Sequence, residues 1–349
     1  MASNSSHEPA LREVADDPPA PGHAREIAPG VLWLRMPLPF ALNHVNLWLI
    51  EERDGYTLVD CGYGDATTRA HWQQLFVTTL QDRPLSHIVA THCHPDHLGN
   101  AAWLAAHFGC DIAMTQGEYL AAHALIDGRA GLGQADVRSL FARHGMDGEH
   151  LASLAARGNH YHRGVPEAPH AFTRLIDGDA VTMGGRSWQV ICGYGHSPEH
   201  AALADVGREL LIAGDMLLPR ISTNVAVWPG DPDGDPVARF LDSLARFETL
   251  PVETLVLPSH GPPFRGIVAR VSRLRTHHAQ RLDELQQALA TAARPQSAAD
   301  IIPVLFRREL DLQQRFFAMG EAIAHLNHLW RRGRAQRSVA TDGAIRYAA

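Results

Sequence analysis

The chain has 349 residues, of which 45% are hydrophobic and 20% charged, and its net charge is −7 at pH 7. This length and composition can form one large domain and a smaller one around a full core, as in ordinary globular proteins. No segment approaches the about 20 apolar residues of a membrane span, and the N-terminus has no apolar signal region. The four cysteines form no CxxC pair. We therefore exclude a membrane-spanning protein and a disulfide scaffold, and expect free thiols and a cytoplasmic location.

Residues 1–25 are rich in Ser, Pro, Asp and Glu and have no hydrophobic periodicity, so they are predicted to be a disordered leader. The segments VLWLRMPLP, HVNLWLIEE and YTLVD then predict three strands of an antiparallel meander. HIVATHCH predicts a buried strand, LGNAAWLAAHFG predicts a helix that ends at Gly109, and DIAMT predicts a short strand.

From about residue 116 to 165 the pattern changes to three helical stretches separated by glycines, which predicts a helical insertion that forms a lid. Strands resume in AVTMGGRSWQVICGYGH, ELLIAGD and TLVLPSHG, and a helix precedes the last of them, which indicates a layered α/β core. The remaining chain is mostly helical and ends in two short strands around Asp342 and Gly343, which suggests a small winged-helix-like domain. We thus predict a large domain over 26–263, which includes the helical insertion, and a C-terminal domain over 264–349.

The C-terminal part also differs in charge, with fourteen Arg against seven Asp and Glu from Arg265 onward. A basic region can bind nucleic acid or an acidic protein surface. Because this one has neither interleaved aromatic residues nor a long basic run, a solvated helical surface is favoured.

Polar residues follow five apolar strands at or just past their carboxyl ends, where the loops of an open α/β sheet gather. A hydrated loop has no need for so many imidazoles, which would repel one another when protonated. Imidazole and carboxylate suit zinc, and also iron or manganese, and a catalytic zinc lowers the pKa of its water to about 7. The sequence therefore predicts a catalytic metal site. Its residues are Asp60, the HxHxDH run of His92, His94, Asp96 and His97, and then His196, Asp215 and His260.

The ordered motifs HxHxDH, GHSPEH, AGD and SHG resemble those of the metallo-β-lactamase-fold metallo-hydrolase superfamily, in a glyoxalase II-like form, over residues 30–263. The tail GEAIAHLNHLWRRGRAQR and its hairpin are similar to the winged-helix domain appended to some members. The resemblance implies an α/β fold: an αββα sandwich with a helical insertion, a small winged-helix-like domain and two divalent metal ions, with zinc expected. It implies one metal on His92, His94 and His196, a second on Asp96, His97 and His260, a bridging Asp215, and Asp60 as the residue that orients ligands.

The resemblance also implies a hydrolase that uses a metal-bound hydroxide to cleave an ester, thioester, lactone or related acyl substrate. Asp96 or Asp215 would pass the proton to the leaving group. Antibiotic hydrolysis is disfavoured because true β-lactamases of the superfamily lack the bridging aspartate. A di-iron oxygen reductase is disfavoured because such relatives carry a carboxylate where His94 stands.

The pocket is expected between the lid and the loop 221–230. We expect Glu199 to face solvent and His200 to pack rather than bind metal. Deletion of residues 118–163 is expected to change substrate preference more than metal content. The expected substrate contacts are Tyr161, Tyr194, Asn224 and Trp228, with Tyr119, His160 and His162 as further pocket residues.

Three other functions stay open. The first is a metal-dependent phosphodiesterase or ribonuclease guided by the C-terminal domain, although phosphate backbones favour basic grooves and the catalytic part is acidic. The second is a mononuclear iron persulfide dioxygenase, whose ligand set overlaps. The third is a non-catalytic DNA-binding regulator, against which the complete ligand set argues. The expected partner is a small acyl substrate, a homo-oligomer is an option, nucleic acid is not favoured, and no membrane is expected.

Overall fold

The protein is described here by a computed structural model that covers residues 10–14, 17–129 and 131–349. Within them the chain forms two seven-stranded sheets and one two-stranded hairpin. Sheet I begins with the predicted antiparallel meander and continues with parallel strands. In spatial order it contains β2 (Ala24–Ala28), β3 (Val31–Pro37), β4 (His44–Glu51), β5 (Tyr56–Val59), β6 (Leu85–Val89), β7 (Asp111–Thr115) and β8 (Thr173–Leu175).

In spatial order sheet II contains β1 (Arg12–Glu13), β14 (Phe264–Arg265), β13 (Leu255–Pro258), β12 (Leu210–Gly214), β11 (His200–Asp205), β10 (Arg186–Gly193) and β9 (Ala180–Met183). Its neighbouring strands are antiparallel except for β12 and β13, which run parallel. The C-terminal hairpin forms around Asp342 and Gly343, where the sequence predicts it, from β15 (Gln336–Val339) and β16 (Ile345–Ala348).

The described residues form eleven α-helices, together with a π-helical turn at Phe76–Leu80 and a 3₁₀ turn at Val206–Arg208. The inserted segment contributes four of them, because a short helix follows the three that the sequence predicts. In chain order the helices are α1 (Ala66–Leu75), α2 (Pro95–Leu98), α3 (Ala101–Phe108), α4 (Gln116–Asp127), α5 (Gln134–Arg143), α6 (Gly148–Ala156), α7 (His160–Gly164), α8 (Pro236–Phe247), α9 (Ile267–Thr291), α10 (Ala298–Leu305) and α11 (Leu312–Arg331).

The two sheets pack face to face between two layers of helices. The layer between the sheets contains Trp33 and Trp48 of sheet I and Trp188 of sheet II, all buried. The outer face of sheet I packs against α1, α3 and α4, where Trp72 is buried. The outer face of sheet II packs against α8 and the C-terminal helices, where Phe240 is buried. Burial of these apolar faces is the main force that holds the layers together. The predicted αββα sandwich is confirmed.

The helical insertion connects the two outer layers. Ala122 of α4 and Tyr161 of α7 pack with the helices that cover sheet I. Phe141 of α5 and Leu154 of α6 belong instead to the hydrophobic cluster that contains Met319 of α11. The insertion therefore bridges the catalytic sandwich and the C-terminal helices.

Three details differ from the predictions. Arg12 and Glu13 pair with β14, and β2 begins at Ala24, so these parts of the predicted leader are strands rather than disordered. Residues 1–9 and 15–16 lie outside the described part of the chain. The strand β14 lies beyond residue 263, so sheet II extends past the predicted domain boundary. The strand β11 was not predicted, because its sequence HAALAD is rich in alanine, which has a low preference for strands.

All four cysteines are free, as the sequence predicts. Among the described residues, no helix combines the length and the apolar character needed to span a bilayer.

Candidate metal centre

The predicted site residues follow strand ends in both sheets. Asp60 follows β5, and the run from His92 to His97 follows β6, its parallel neighbour in sheet I. Asp215 follows β12, and His260 comes soon after β13, its parallel neighbour in sheet II. Neighbouring parallel strands end at the same edge of a sheet, so the loops that follow them lie side by side.

The first cluster consists of His92, His94, His196 and Asp215, each with one ligand atom within 4.8 Å of the others. His92 Nε2 lies 2.9 Å from His94 Nδ1 and 3.3 Å from His196 Nε2. Asp215 Oδ2 lies 3.2 Å from His196 Nε2 and 3.9 Å from His92 Nε2. Three imidazole nitrogens and one carboxylate oxygen thus converge on one small volume.

The second cluster consists of Asp96, His97 and His260. Asp96 Oδ2 lies 3.6 Å from His97 Nε2 and 3.5 Å from His260 Nε2. Asp215 Oδ1 lies 3.6 Å from His97 Nε2 and 3.3 Å from His260 Nε2. The carboxylate of Asp215 therefore places one oxygen against each cluster.

The donor atoms of the two clusters fit divalent transition metals. His97 Nε2 and Asp215 Oδ1 are buried and have no hydrogen-bond partner within the described residues, although buried polar atoms are rarely left unpaired in proteins. Imidazole nitrogen and carboxylate oxygen are common ligands of zinc, iron and manganese. Both unpartnered atoms face the second cluster, where a cation would satisfy their lone pairs. The first cluster offers three imidazole nitrogens and one carboxylate oxygen, so the residues present fit two metal ions.

The electrostatic environment differs between the two clusters. Burial, reinforced by neighbouring imidazoles, holds the pKa of His92 and that of His94 well below the usual value. The neutral imidazole that results is the form that binds a metal. Burial also disfavours the charged form of His97, but nearby carboxylates, Asp60 foremost, outweigh it and raise its pKa to about 10. The second cluster thus lies in a negative field that a bound cation would neutralise.

Asp60 lies behind the ligands and contacts the second cluster. Its buried carboxylate accepts hydrogen bonds from Thr91 N (2.8 Å), Thr91 Oγ1 (2.9 Å) and His97 Nδ1 (2.7 Å). Thr91 Oγ1 also lies 3.0 Å from His92 Nδ1. Because Asp60 holds the Nδ1 edge of His97, the Nε2 atom of that ring points into the cluster.

Backbone carbonyl groups orient two further imidazoles. His196 Nδ1 donates to the carbonyl oxygen of Asn224, and His260 Nδ1 donates to that of His44, each at 2.8 Å. The His44 side chain accepts a hydrogen bond from Gly261 N at 2.9 Å, so His44 holds the His260 loop at two points. The sequence analysis did not single out His44, because a lone histidine at the start of a strand carries no ligand signal.

His200 lies outside both clusters, in keeping with the expectation that it does not bind metal, and it also makes a specific hydrogen bond. Its Nε2 accepts a hydrogen bond from the backbone N–H of Asp215 at 3.1 Å. Burial lowers the pKa of His200 to about 3, which keeps the ring neutral and able to accept. Gly214 permits this approach, since its φ is 53° and a Cβ atom there would lie 2.3 Å from His200 Nε2. His200 therefore fixes the loop that presents Asp215.

The expectation that Glu199 faces solvent is wrong. This residue is partly buried, and its Oε2 accepts a hydrogen bond from Gly117 N at 2.8 Å, in the first turn of α4. A carboxylate is favoured there by the free N–H groups and the dipole of the helix. The contact fastens the inserted helix to the loop that carries His196.

Glu118 is a further site residue that was not predicted from the sequence. Its fully buried carboxylate accepts hydrogen bonds from Cys93 N, Ser197 Oγ and Glu199 N. Tyr161, expected to contact substrate, donates its hydroxyl to the carbonyl oxygen of Cys93 at 2.6 Å. The sequence contains no signal for these contacts, because a glutamate in the first turn of a helix is usually solvated.

A cleft of about 1710 Å³ opens over the two clusters. Apolar side chains from the loop 39–42, the insertion, the loop 221–230 and the C-terminal helices form much of its wall. Tyr119 packs elsewhere, with its ring stacked on Phe172, and His162 is exposed. The other expected pocket residues line the cleft, and these are His160, Tyr161, Tyr194, Asn224 and Trp228.

Comparison with known proteins agrees with this geometry. The family described as "Metallo-beta-lactamase superfamily" matches residues 41–260, which contain every residue of both clusters. The chain belongs to the metallo-β-lactamase superfamily. A second family, described as "Metallo-beta-lactamase-like, C-terminal domain", matches residues 282–349 and begins within α9. The superfamily and the general prediction of a metallo-hydrolase are therefore confirmed.

Three similar proteins match most of the chain. A β-lactamase domain protein from Burkholderia ambifaria has 46% sequence identity and a TM-score of 0.90, and the match covers 97% of this chain and 98% of that one. The metallo-β-lactamase family protein TTHA1429 from Thermus thermophilus has 28% sequence identity and a TM-score of 0.77, and the match covers 93% of this chain and 99% of that one. The probable metallo-hydrolase YqjP from Bacillus subtilis (strain 168) is 25% identical over 319 residues, covering 86% of this chain and 92% of that protein.

Proposed function

We propose that this protein is a dinuclear metal-dependent hydrolase that cleaves an ester, thioester, lactone or related acyl substrate. The observation that carries the proposal is the position of Asp215, whose two carboxylate oxygens face different imidazole clusters at the base of one cleft. A single carboxylate shared in this way suits a pair of cations. The printed name of the Bacillus subtilis relative, a probable metallo-hydrolase, points to the same class of reaction.

In this proposal each group of residues has a defined role. His92, His94 and His196 would hold one divalent ion, Asp96, His97 and His260 would hold the other, and Asp215 would contribute a carboxylate oxygen to each. Zinc is expected, with iron or manganese as alternatives. Two such ions would supply hydroxide near neutral pH and a Lewis acid for the substrate carbonyl. Asp96, which also lines the cleft, or Asp215 transfers the proton to the leaving group.

The cleft favours an acyl substrate with a substantial apolar part. Its volume of about 1710 Å³ exceeds the roughly 300–1,000 Å³ of common small-molecule pockets. Trp228 and Tyr194 supply aromatic surface, Asn224 supplies an amide, and Tyr161 supplies a ring whose hydroxyl is already bonded to Cys93. We propose these four residues as substrate contacts.

The test is a hydrolysis assay on a panel of esters, thioesters and lactones, with the protein as purified and after supplementation with Zn²⁺, Fe²⁺ or Mn²⁺. We expect turnover of at least one acyl class, and Asp215→Asn should lower kcat by at least about 100-fold, as loss of a key electrostatic group does. Asp231→Asn is the matched control, because Asp231 lines the same cleft and pairs with Arg239 at 2.9 Å. Absence of turnover with every acyl class and metal would end the proposal.

A phosphodiesterase is the second candidate, because Arg138, Arg157 and Arg308 also line the cleft. We also propose that the C-terminal part is a winged-helix-like domain that could bind nucleic acid. The succession of α9, α10 and α11 and then the hairpin supports this proposal. Salt separates the candidates, since nucleic-acid binding weakens steeply between 50 and 200 mM salt, by roughly 10³–10⁵-fold for several phosphate contacts. Hydrolysis of an uncharged acyl substrate should change little over the same range.

A further inference from the structure

Glu118 is a fully buried carboxylate in the first turn of α4, outside both metal clusters. It accepts three hydrogen bonds: from Cys93 N at 2.9 Å, from Ser197 Oγ at 2.6 Å and from Glu199 N at 2.7 Å. Removing a carboxylate from water is costly, and such hydrogen bonds, together with the N-terminus of a helix, offset that cost. The three bonds thus hold this group firmly in one position.

The donors that Glu118 holds lie next to proposed metal ligands. Cys93 separates His92 from His94, so its N–H group lies between two imidazoles of the first cluster. Ser197 directly follows His196, the third imidazole of that cluster. One carboxylate therefore ties together the two loops whose spacing decides whether three imidazole nitrogens can converge.

Other residues of the insertion form hydrogen bonds with the same two loops. The hydroxyl of Tyr161, in α7, donates to Cys93 O, so both polar atoms of the Cys93 backbone are held by inserted helices. Glu118 of α4 accepts from Glu199 N, as described above. Glu199 in turn accepts from Gly117 N, so α4 and the His196 loop are bonded in both directions.

The second cluster has different supports. His97 is held by Asp60, and His260 is held by the carbonyl oxygen of His44. Both supports belong to the sandwich and neither belongs to the insertion. The first cluster also has one support outside the insertion, the carbonyl oxygen of Asn224 that holds His196, but the hydrogen bonds of the insertion described above reach only the loops of the first cluster.

We infer that the helical insertion positions the ligands of the first metal cluster, with Glu118 as the positioning residue, and that it leaves the second cluster unaffected. This inference rests on the proposed metal binding but not on the proposed substrate. It replaces the expectation that the insertion governs substrate preference more than metal content, because Glu118 and Tyr161 lie within the segment whose deletion that expectation considered. The insertion is then part of the metal-binding framework as well as a wall of the cleft.

The test is a titration of metal-free full-length protein with Co²⁺, followed by visible absorption and by calorimetry. The unaltered protein should bind two equivalents. In Glu118→Gln the amide NH₂ cannot accept a hydrogen bond, so at least one of the three donors loses its partner. We expect the affinity of one equivalent to fall by about 10–100-fold, as for other residues that orient ligands, and the affinity of the other to stay unchanged. The absorption bands of the weakened site should shift.

Two further variants keep the test decisive if Glu118→Gln does not fold. Ser197→Ala removes one donor to Glu118, and Tyr161→Phe removes the bond to Cys93 O. Each should weaken the same equivalent by a smaller factor. Glu284→Gln is the control, because this partly buried glutamate pairs with Arg281 and Arg307, neither of which belongs to a metal cluster.

Several results would overturn the inference. One is that Glu118→Gln keeps both affinities within about twofold of the unaltered protein, and another is that both equivalents weaken equally, which would indicate a general structural role. A protein that binds no Co²⁺ before any substitution would refute the proposed metal binding itself. Loss of one equivalent in a protein that hydrolyses no acyl substrate would instead support the inference while refuting the proposed substrate class.

Discussion

Asp60→Asn is the sharpest test of how the second cluster is held. The carboxylate of Asp60 accepts from His97 Nδ1 at 2.7 Å, and from the backbone and hydroxyl of Thr91 at 2.8 and 2.9 Å. Asparagine has the same shape and tolerates the φ of 63° at this position, so backbone strain is not introduced. The substitution therefore removes the charge and one acceptor and leaves the loop in place.

The expected magnitude follows from these contacts. The asparagine has one carbonyl oxygen for donors from His97 and Thr91, so its NH₂ group must face at least one N–H or O–H group. Loss of a hydrogen bond to a charged group costs about 1.5–3 kcal/mol. Residues that orient metal-bound imidazoles typically change metal affinity by about 10–100-fold, which is about 1.4–2.7 kcal/mol. The two estimates agree, so we expect one metal equivalent to weaken by that factor.

The assay is competition for Zn²⁺ between the metal-free protein and a chelator, with circular dichroism to check the fold. Asp205→Asn is the matched control, because Asp205 is also buried at the end of a strand and pairs with Arg186 at 3.3 Å. The control should lose stability and keep its metal affinity. Unchanged Zn²⁺ affinity in a folded Asp60→Asn variant, or an equal loss in the control, would refute the reasoning.

Two further predictions concern stability. Gly214→Ala places a Cβ atom 2.3 Å from His200 Nε2 and forces alanine to a φ of 53°, so urea denaturation should show a loss of at least about 1–2 kcal/mol. Gly178→Ala is the control, because Gly178 has a φ of 84° and a Cβ atom there would meet nothing within 4 Å, so the substitution introduces backbone strain without a clash. Equal losses of unfolding free energy in the two variants would contradict the proposed contact between Gly214 and His200. Burial raises the pKa of Glu321 from 4.5 to about 7, although a hydrogen bond from Asn224 opposes the shift. Because the pKa of Glu321 is raised in the folded state, the contribution of this residue to the free energy of unfolding is complete below about pH 4.5 and is lost as the pH rises through about 7. Relative to the unaltered protein, Glu321→Gln should therefore gain thermal stability across that range, and parallel curves of melting temperature against pH would exclude the effect.

The elements that sequence patterns predict best are those whose signal is local. The meander and the terminal hairpin follow from alternating apolar residues and from turn residues such as Gly343. The site residues could be collected from the sequence because each stands at the end of an apolar strand, as His92 and Asp215 do. Their convergence in space depends on how two sheets face each other, which no single segment indicates. It was predicted from the resemblance of the ordered motifs to those of the superfamily.

Apart from Asp60, the residues that support the site could not be predicted, for a physical reason. Glu118 contacts Cys93 and Ser197, which lie far from it along the chain, so its burial depends on how the insertion packs. His200 accepts from the backbone of Asp215 only because β11 lies beside β12, and β11 itself carries a weak strand signal. Such roles arise from tertiary contacts and leave no pattern in the local sequence.

The most direct test of the central claim is the metal content of freshly purified protein, measured by inductively coupled plasma mass spectrometry and repeated after dialysis against Zn²⁺. The two clusters predict two transition-metal ions per chain, and Asp215→Asn, which alters both clusters, should retain fewer. A protein that carries no transition metal and takes up none on dialysis would contradict the account.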